Sequence, residues 1–143
     1  MLISKAAFLG YQTQFYNKLR NTPYRVNLLY TSIVGGTSED FTAEFVGDSQ
    51  REVTSYSFQT LYEKEISNRM REKYGLPMEV NGIIYLSPRQ LTPVFGDYHL
   101  DWNRTKVQFE GRTQVIDKVV YLEELYGSCV GVQIFLKDSL KGG

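Results

Sequence analysis

The stretch Thr105-Lys-Val-Gln-Phe109-Glu110-Gly111-Arg112-Thr113-Gln-Val-Ile-Asp-Lys-Val-Val-Tyr-Leu122 decides the fold. Residues 105–109 and 113–122 are rich in β-branched and aromatic residues. A Gly-containing turn, Glu110-Gly111, separates them. This predicts a β-hairpin. Gly127 then punctuates the chain, and residues 129–137 form the last strand, with Val130, Val132, Ile134 and Leu136 on one face.

Working outward, β patterns recur. Tyr24, Val26, Leu28 and Tyr30 alternate with other residues and predict a strand over 24–32. Ile33, Val34, Gly35, Gly36, Thr37, Ser38, Glu39 and Asp40 read as a loop. Phe41, Ala43 and Phe45 predict a second strand over 41–46, and 51–57 reads as a third, short one. Met78 to Leu86 carries Asn81-Gly82, a hairpin signal, and Pro88 and Pro93 bracket a connector.

Two segments read as helices. Residues 4–20 have Ser4 as N-cap and a stripe of Phe8, Tyr11, Phe15 and Leu19; Pro23 stops the helix. Residues 60–74 have Thr60 and Glu63 at capping-box spacing, with Gly75 as the C′ residue and Pro77 beyond. The expected fold class is α+β. It is a small antiparallel β-barrel or sandwich with an inserted helix and an N-terminal helical segment. One domain over 1–143 is expected: a helical arm at 1–20, a β-rich core at 21–137 and a flexible tail at 138–143.

Composition excludes several classes. The 143 residues hold 16 Lys plus Arg and 16 Asp plus Glu, for a formal net charge of zero. That disfavours a chain that coats nucleic acid, which needs a basic surface. One Cys and one His exclude an internal disulfide framework and a Cys/His zinc site. No apolar run approaches a membrane span. Met1 to Leu9 holds only the short run Ala6-Ala7-Phe8-Leu9, so neither membrane insertion nor a signal peptide is expected.

Chemistry-bearing patterns are few. Asp97, His99 and Asp101 would share one face of an extended segment, where they are candidates for a divalent metal or a general base. The competing reading is a solvated segment with Tyr98, Leu100 and Trp102 facing the core. No other His exists to complete a metal site. Cys129 with His99 is a conceivable nucleophilic pair, but Cys129 opens an apolar strand. Gly35-Gly36-Thr37-Ser38 lacks the Lys and spacing of a phosphate-cradling loop. No catalytic residue, metal or cofactor is therefore expected. Eleven Tyr and eight Phe suit core packing and protein contacts.

The hairpin from Thr105, its return strand ending Val132-Gln-Ile-Phe-Leu-Lys137, and the pair Arg25-Val-Asn-Leu-Leu-Tyr30 with Phe41-Thr-Ala-Glu-Phe45 resemble one family. It is the tailed-bacteriophage head–tail connector (head-completion, or stopper) family. The N-terminal helical segment and the helical insertion depart from that pattern. The resemblance implies a structural virion protein of the phage neck, made in the host cytoplasm. It implies a homo-oligomeric ring, six- or twelve-fold, that closes the DNA-filled capsid and connects it to the tail. Portal or adaptor and tail proteins are then its partners. Double-stranded DNA passes through the lumen without sequence-specific binding, and there is no catalysis. Position and composition make the 33–40 loop a candidate for lining the channel or touching a neighbour. Lys137, Asp138, Ser139, Leu140 and Lys141 are candidates for an arm. A tail terminator ring protein, or a small β-fold nucleic-acid or peptide-binding module, is the alternative.

Overall fold

A computed structural model describes residues 3–33 and 51–138 of the chain. The element order is α1 (Lys5–Arg20), β1 (Arg25–Ile33), β2 (Arg51–Gln59), β3 (Leu61–Glu63), α2 (Asn68–Tyr74), β4 (Val80–Leu86), α3 (Pro88–Phe95), a 3-10 turn (Trp102–Arg104), β5 (Thr105–Phe109), β6 (Arg112–Leu122) and β7 (Gly131–Asp138). The seven strands form one antiparallel sheet in the order β2-β1-β5-β6-β7-β4-β3. This is an α+β fold with an N-terminal helix.

The strand order forces the sheet to curl. β2 and β3 stand at opposite ends of it, yet only Thr60 separates them in the chain. The two ends must therefore meet, giving a half-barrel. Thr60 is fully buried at the junction. Its N–H donates to the Tyr24 carbonyl at 3.1 Å beside β1. Its hydroxyl donates to the Tyr85 carbonyl at 2.9 Å on β4. The Gln90 amide of α3 donates to the Gln59 carbonyl at 2.8 Å, so α3 helps hold the same seam.

The hairpin expected over residues 105–122 is present. Phe109 pairs with Arg112, and Glu110 (φ 52) with Gly111 (φ 79) makes a two-residue turn. Positive φ at both central residues is the turn that matches strand twist. The curl encloses one apolar cluster that includes Val26, Leu28, Phe58, Ile84, Leu86, Leu91, Val107, Phe109, Val132, Ile134 and Leu136. A second cluster of Leu76, Val80, Ile83 and Phe135, with Met70 and Tyr74 against it, is where α2 packs. β7 is buried on both faces from Gly131 to Leu136 because α1 and α2 cover what the curl does not.

Helix α1 is capped by Ser4, whose Oγ accepts the Ala7 N–H at 3.1 Å. It lies on the sheet and is not a free arm. Phe8 and Leu19 are buried, while Tyr11 of the anticipated stripe is exposed and Gln12 is buried in its place. The Gln12 amide donates to the Cys129 carbonyl at 2.8 Å. Phe15 lies directly over Gly131, where a Cβ would come within 2.7 Å of the ring's Cζ.

Three other expectations need correction. The helix expected at 60–74 spans only Asn68–Tyr74, and Ser67 is its N-cap. Thr60 is occupied with the seam, and Leu61–Glu63 pairs with β4. Gly75 does end the helix, at φ 63. Asn81-Gly82 makes no turn: it lies within β4 at an irregularity in the pairing with β7, under the Tyr62 ring. Pro88 and Pro93 both belong to α3, which starts with a capping box of Ser87 and Gln90. Proline suits the first helical position because its missing N–H has no partner there anyway. The strand expected at 41–46 lies outside the described residues.

Candidate functional site

The candidate polar constellation sits between α3 and β5. Gly96, at φ 83, ends α3 and releases the chain into 97–101. Asp97, His99 and Asp101 are exposed, Tyr98 is buried, and Leu100 and Trp102 pack against the inner cluster. The three candidate residues do not converge. Asp101 pairs with Arg104 at 3.3 Å, away from His99. The partner that His99 does find is Glu124, with Nε2 at 2.9 Å from Oε2. The other ring nitrogen lies 3.4 Å from Asp97 Oδ1.

The surrounding groups fix this corner. Tyr98 donates its hydroxyl to the same Glu124 oxygen at 3.1 Å. The His99 ring packs on Tyr98 and Tyr121, with centroids 4.0 and 4.6 Å away. Trp102 Nε1–H donates to the Tyr121 hydroxyl at 2.7 Å. The His99 backbone N–H, 3.1 Å from Asp97 Oδ1, is the largest cause holding the Asp97 carboxyl below its ordinary range. Burial, reinforced by Glu124, pushes the Tyr98 phenol up.

This geometry ties the end of α3 to the end of β6. It offers no set of ligands: among the described residues no group of three or more His, Cys, Asp or Glu is arranged to hold a metal ion. Cys129 is not an activated nucleophile. It is buried in the inner cluster, and burial first, then Glu124, pushes its thiol up to about 12. The thiolate is the reactive form, so this thiol is inert at neutral pH. Glu124 escaped the sequence reading because it lies 25 residues from His99. Only the Leu122-Glu-Glu-Leu125 run at the end of β6 marks it in the sequence.

Of the loop and arm candidates, only the borders are described. Ile33 ends β1, opposite Arg51 of β2. Val34, Gly35, Gly36, Thr37, Ser38, Glu39 and Asp40 lie outside the described residues, as do Ser139, Leu140 and Lys141. Lys137 and Asp138 do not begin an arm: both belong to β7. Lys137 pairs with Asp117 at 3.3 Å. Asp138 receives the Gln114 amide at 3.1 Å and faces Arg112 at 3.5 Å.

The β1–β2 ladder supplies a further geometric element. It runs in unbroken register from Arg25↔Gln59 to Ile33↔Arg51. β5 pairs with β1 only over Asn27–Tyr30. Thr31–Ile33 and Arg51–Val53 therefore pair beyond the last β5 partner, where the chain before β5 is the 3-10 turn that contacts β1, and Val53 is 61% exposed. Among the described residues no helix is long and apolar enough to cross a membrane. Comparison with protein-family models, with curated proteins and with solved structures gives no match.

Proposed function

We propose that this chain is a structural ring protein of a tailed-phage neck, one that closes the DNA-filled capsid and joins it to the tail. The β1–β2 ribbon carries the reading. Its last three pairs, Thr31–Ile33 with Arg51–Val53, lie beyond the pairing with β5, and this end of the sheet is the edge offered to a neighbour or a lumen. A head-to-tail contact repeated around an axis closes into a ring without free ends. The resemblance of the 105–137 and 25–45 segments to the stopper family points the same way. The polar corner at His99 has a structural role in this reading, and no turnover is expected.

Double-stranded DNA passes the ring without being held. Zero net charge fits this, because tight non-specific binding requires many released counterions. The test is electron microscopy of the purified chain, alone and mixed with portal and tail-tube proteins. Rings with an axial opening, or a layer added to a portal or tail ring, are expected. A chain that stays monomeric with those neighbours present contradicts the proposal.

A further inference from the structure

The zero net charge hides an uneven distribution: the cations of α1 are Lys5 at its start and Lys18 and Arg20 at its end. No Asp or Glu occurs in α1, and the first acidic residue of the chain is Glu39. The C-terminal end of α1 is cationic. Arg20 and Arg89 both stand against the Tyr16 ring, with guanidinium carbons 5.6 and 5.8 Å from its centroid. Arg89 also donates to Thr13 Oγ1 at 2.8 Å. Lys18 lies in the same last turn. Arg25 is adjacent: its strand partner Gln59 donates to the Arg20 carbonyl at 2.9 Å. All four cations are exposed, and none forms an ion pair among the described residues.

The opposite end of α1 meets an acidic corner. Tyr126 meets Phe8 edge to face, with ring centroids 5.7 Å apart, and donates its hydroxyl to the Ile3 carbonyl. Just before Tyr126 come Glu123 and Glu124, with Asp97 linked to Glu124 through His99. All three carboxylates are exposed. From Phe8 to Arg20 the helix advances ~18 Å, at ~1.5 Å per residue. Between the ends, α1 exposes Leu9 (43%) and Tyr11 (51%), large apolar groups of the kind that interfaces cover.

We infer that the occupant of the cationic end is the acidic corner of a second copy of this chain. Arg20 and Arg89, with Lys18 and Arg25 beside them, face Glu123, Glu124 and Asp97 of the next copy. The two patches lie at different places on one molecule, so the contact is head-to-tail and propagates around an axis. Opposite charges select this orientation, since like charges in juxtaposition are costly. The inference rests on the ring reading and names the contact that builds the ring.

The experiment measures self-association of the full chain by analytical ultracentrifugation, with salt varied. Wild-type association is expected to weaken as salt rises. Arg20→Glu with Arg89→Glu, and separately Glu123→Arg with Glu124→Arg, are each expected to weaken it about tenfold or more. Glu124 also anchors Tyr98, so circular dichroism confirms that each variant is folded. Mixing the two variants restores complementary contacts at every joint, and so does combining all four substitutions in one chain. Recovery in both cases supports the pairing. Wild-type rings that tolerate both reversals overturn the pairing and leave the ring reading standing. A wild-type chain that is monomeric at every salt, with or without portal and tail proteins, overturns both.

Discussion

Thr60 and Tyr85 are joined by two hydrogen bonds, and through them one side chain does what a strand backbone does elsewhere. The Thr60 hydroxyl donates to the Tyr85 carbonyl at 2.9 Å and accepts the Tyr85 N–H at 3.2 Å. A buried backbone group without a partner is costly. The hydroxyl removes that penalty at the point where the two ends of the sheet meet.

Thr60→Val keeps the shape of the side chain and removes the hydroxyl. Both Tyr85 backbone groups then lose this partner at a buried position. We expect a loss of about 1–3 kcal/mol, read as a lower denaturant midpoint with an unchanged slope. Thr60→Ser should recover most of it. A valine variant as stable as wild type would show that the seam does not depend on this latch.

Gly131→Ala tests the docking of α1. The added methyl meets the Phe15 ring, which must move. Overpacking of this kind destabilises by about 1–3 kcal/mol. Phe15→Ala also destabilises, and the double variant should be less impaired than the sum of the two. Strict additivity in the denaturation cycle would mean that the two sites do not touch.

Asp97 titrates below its ordinary range in the folded chain. Its folded pKa is depressed, so its contribution is present above the unfolded pKa and fades as pH falls through the folded one. The His99 backbone N–H is the largest cause. Substituting the side chain, as in His99→Ala, should therefore leave much of the depression in place. Carboxyl NMR titration of Asp97 in both proteins checks this. A return to the ordinary value in the variant would place the cause in the imidazole.

Cys129 has its thiol pushed up to about 12, first by burial. Between pH 7 and 9 an ordinary thiol becomes increasingly reactive as thiolate forms. Cys129 should stay unreactive to a thiol reagent over that span and react at once in denaturant. Fast native labelling that rises with pH would contradict its placement.

The parts of the fold legible in sequence were those whose signals are local. The Glu110-Gly111 turn can be read from its two residues, and β1 from Val26 and Leu28. Capping-box spacing at Thr60 and Glu63 misled, because a threonine hydroxyl serves a helix end and a sheet seam equally well. The choice was made by Tyr85, 25 residues away. Asn81-Gly82 lies extended because β4 pairs with β7 there, and the Tyr62 ring sits close over Gly82, 3.1 Å from where a Cβ would be. Pro88 behind Ser87 is a local helix-start signal, but with Pro93 it suggested a connector, and α3 was missed. Of the polar site, Asp97 and His99 were visible as neighbours in sequence, whereas Glu124 joins them only through the curl of β6.

The central claim is that copies of this chain assemble into a closed ring. Cryo-electron microscopy of the purified chain with its portal and tail-tube partners tests it most directly. The expected result is a symmetric ring around an open axis, seated between head and tail, with α1 at the joint between copies. A monodisperse monomer that binds neither partner would contradict the account.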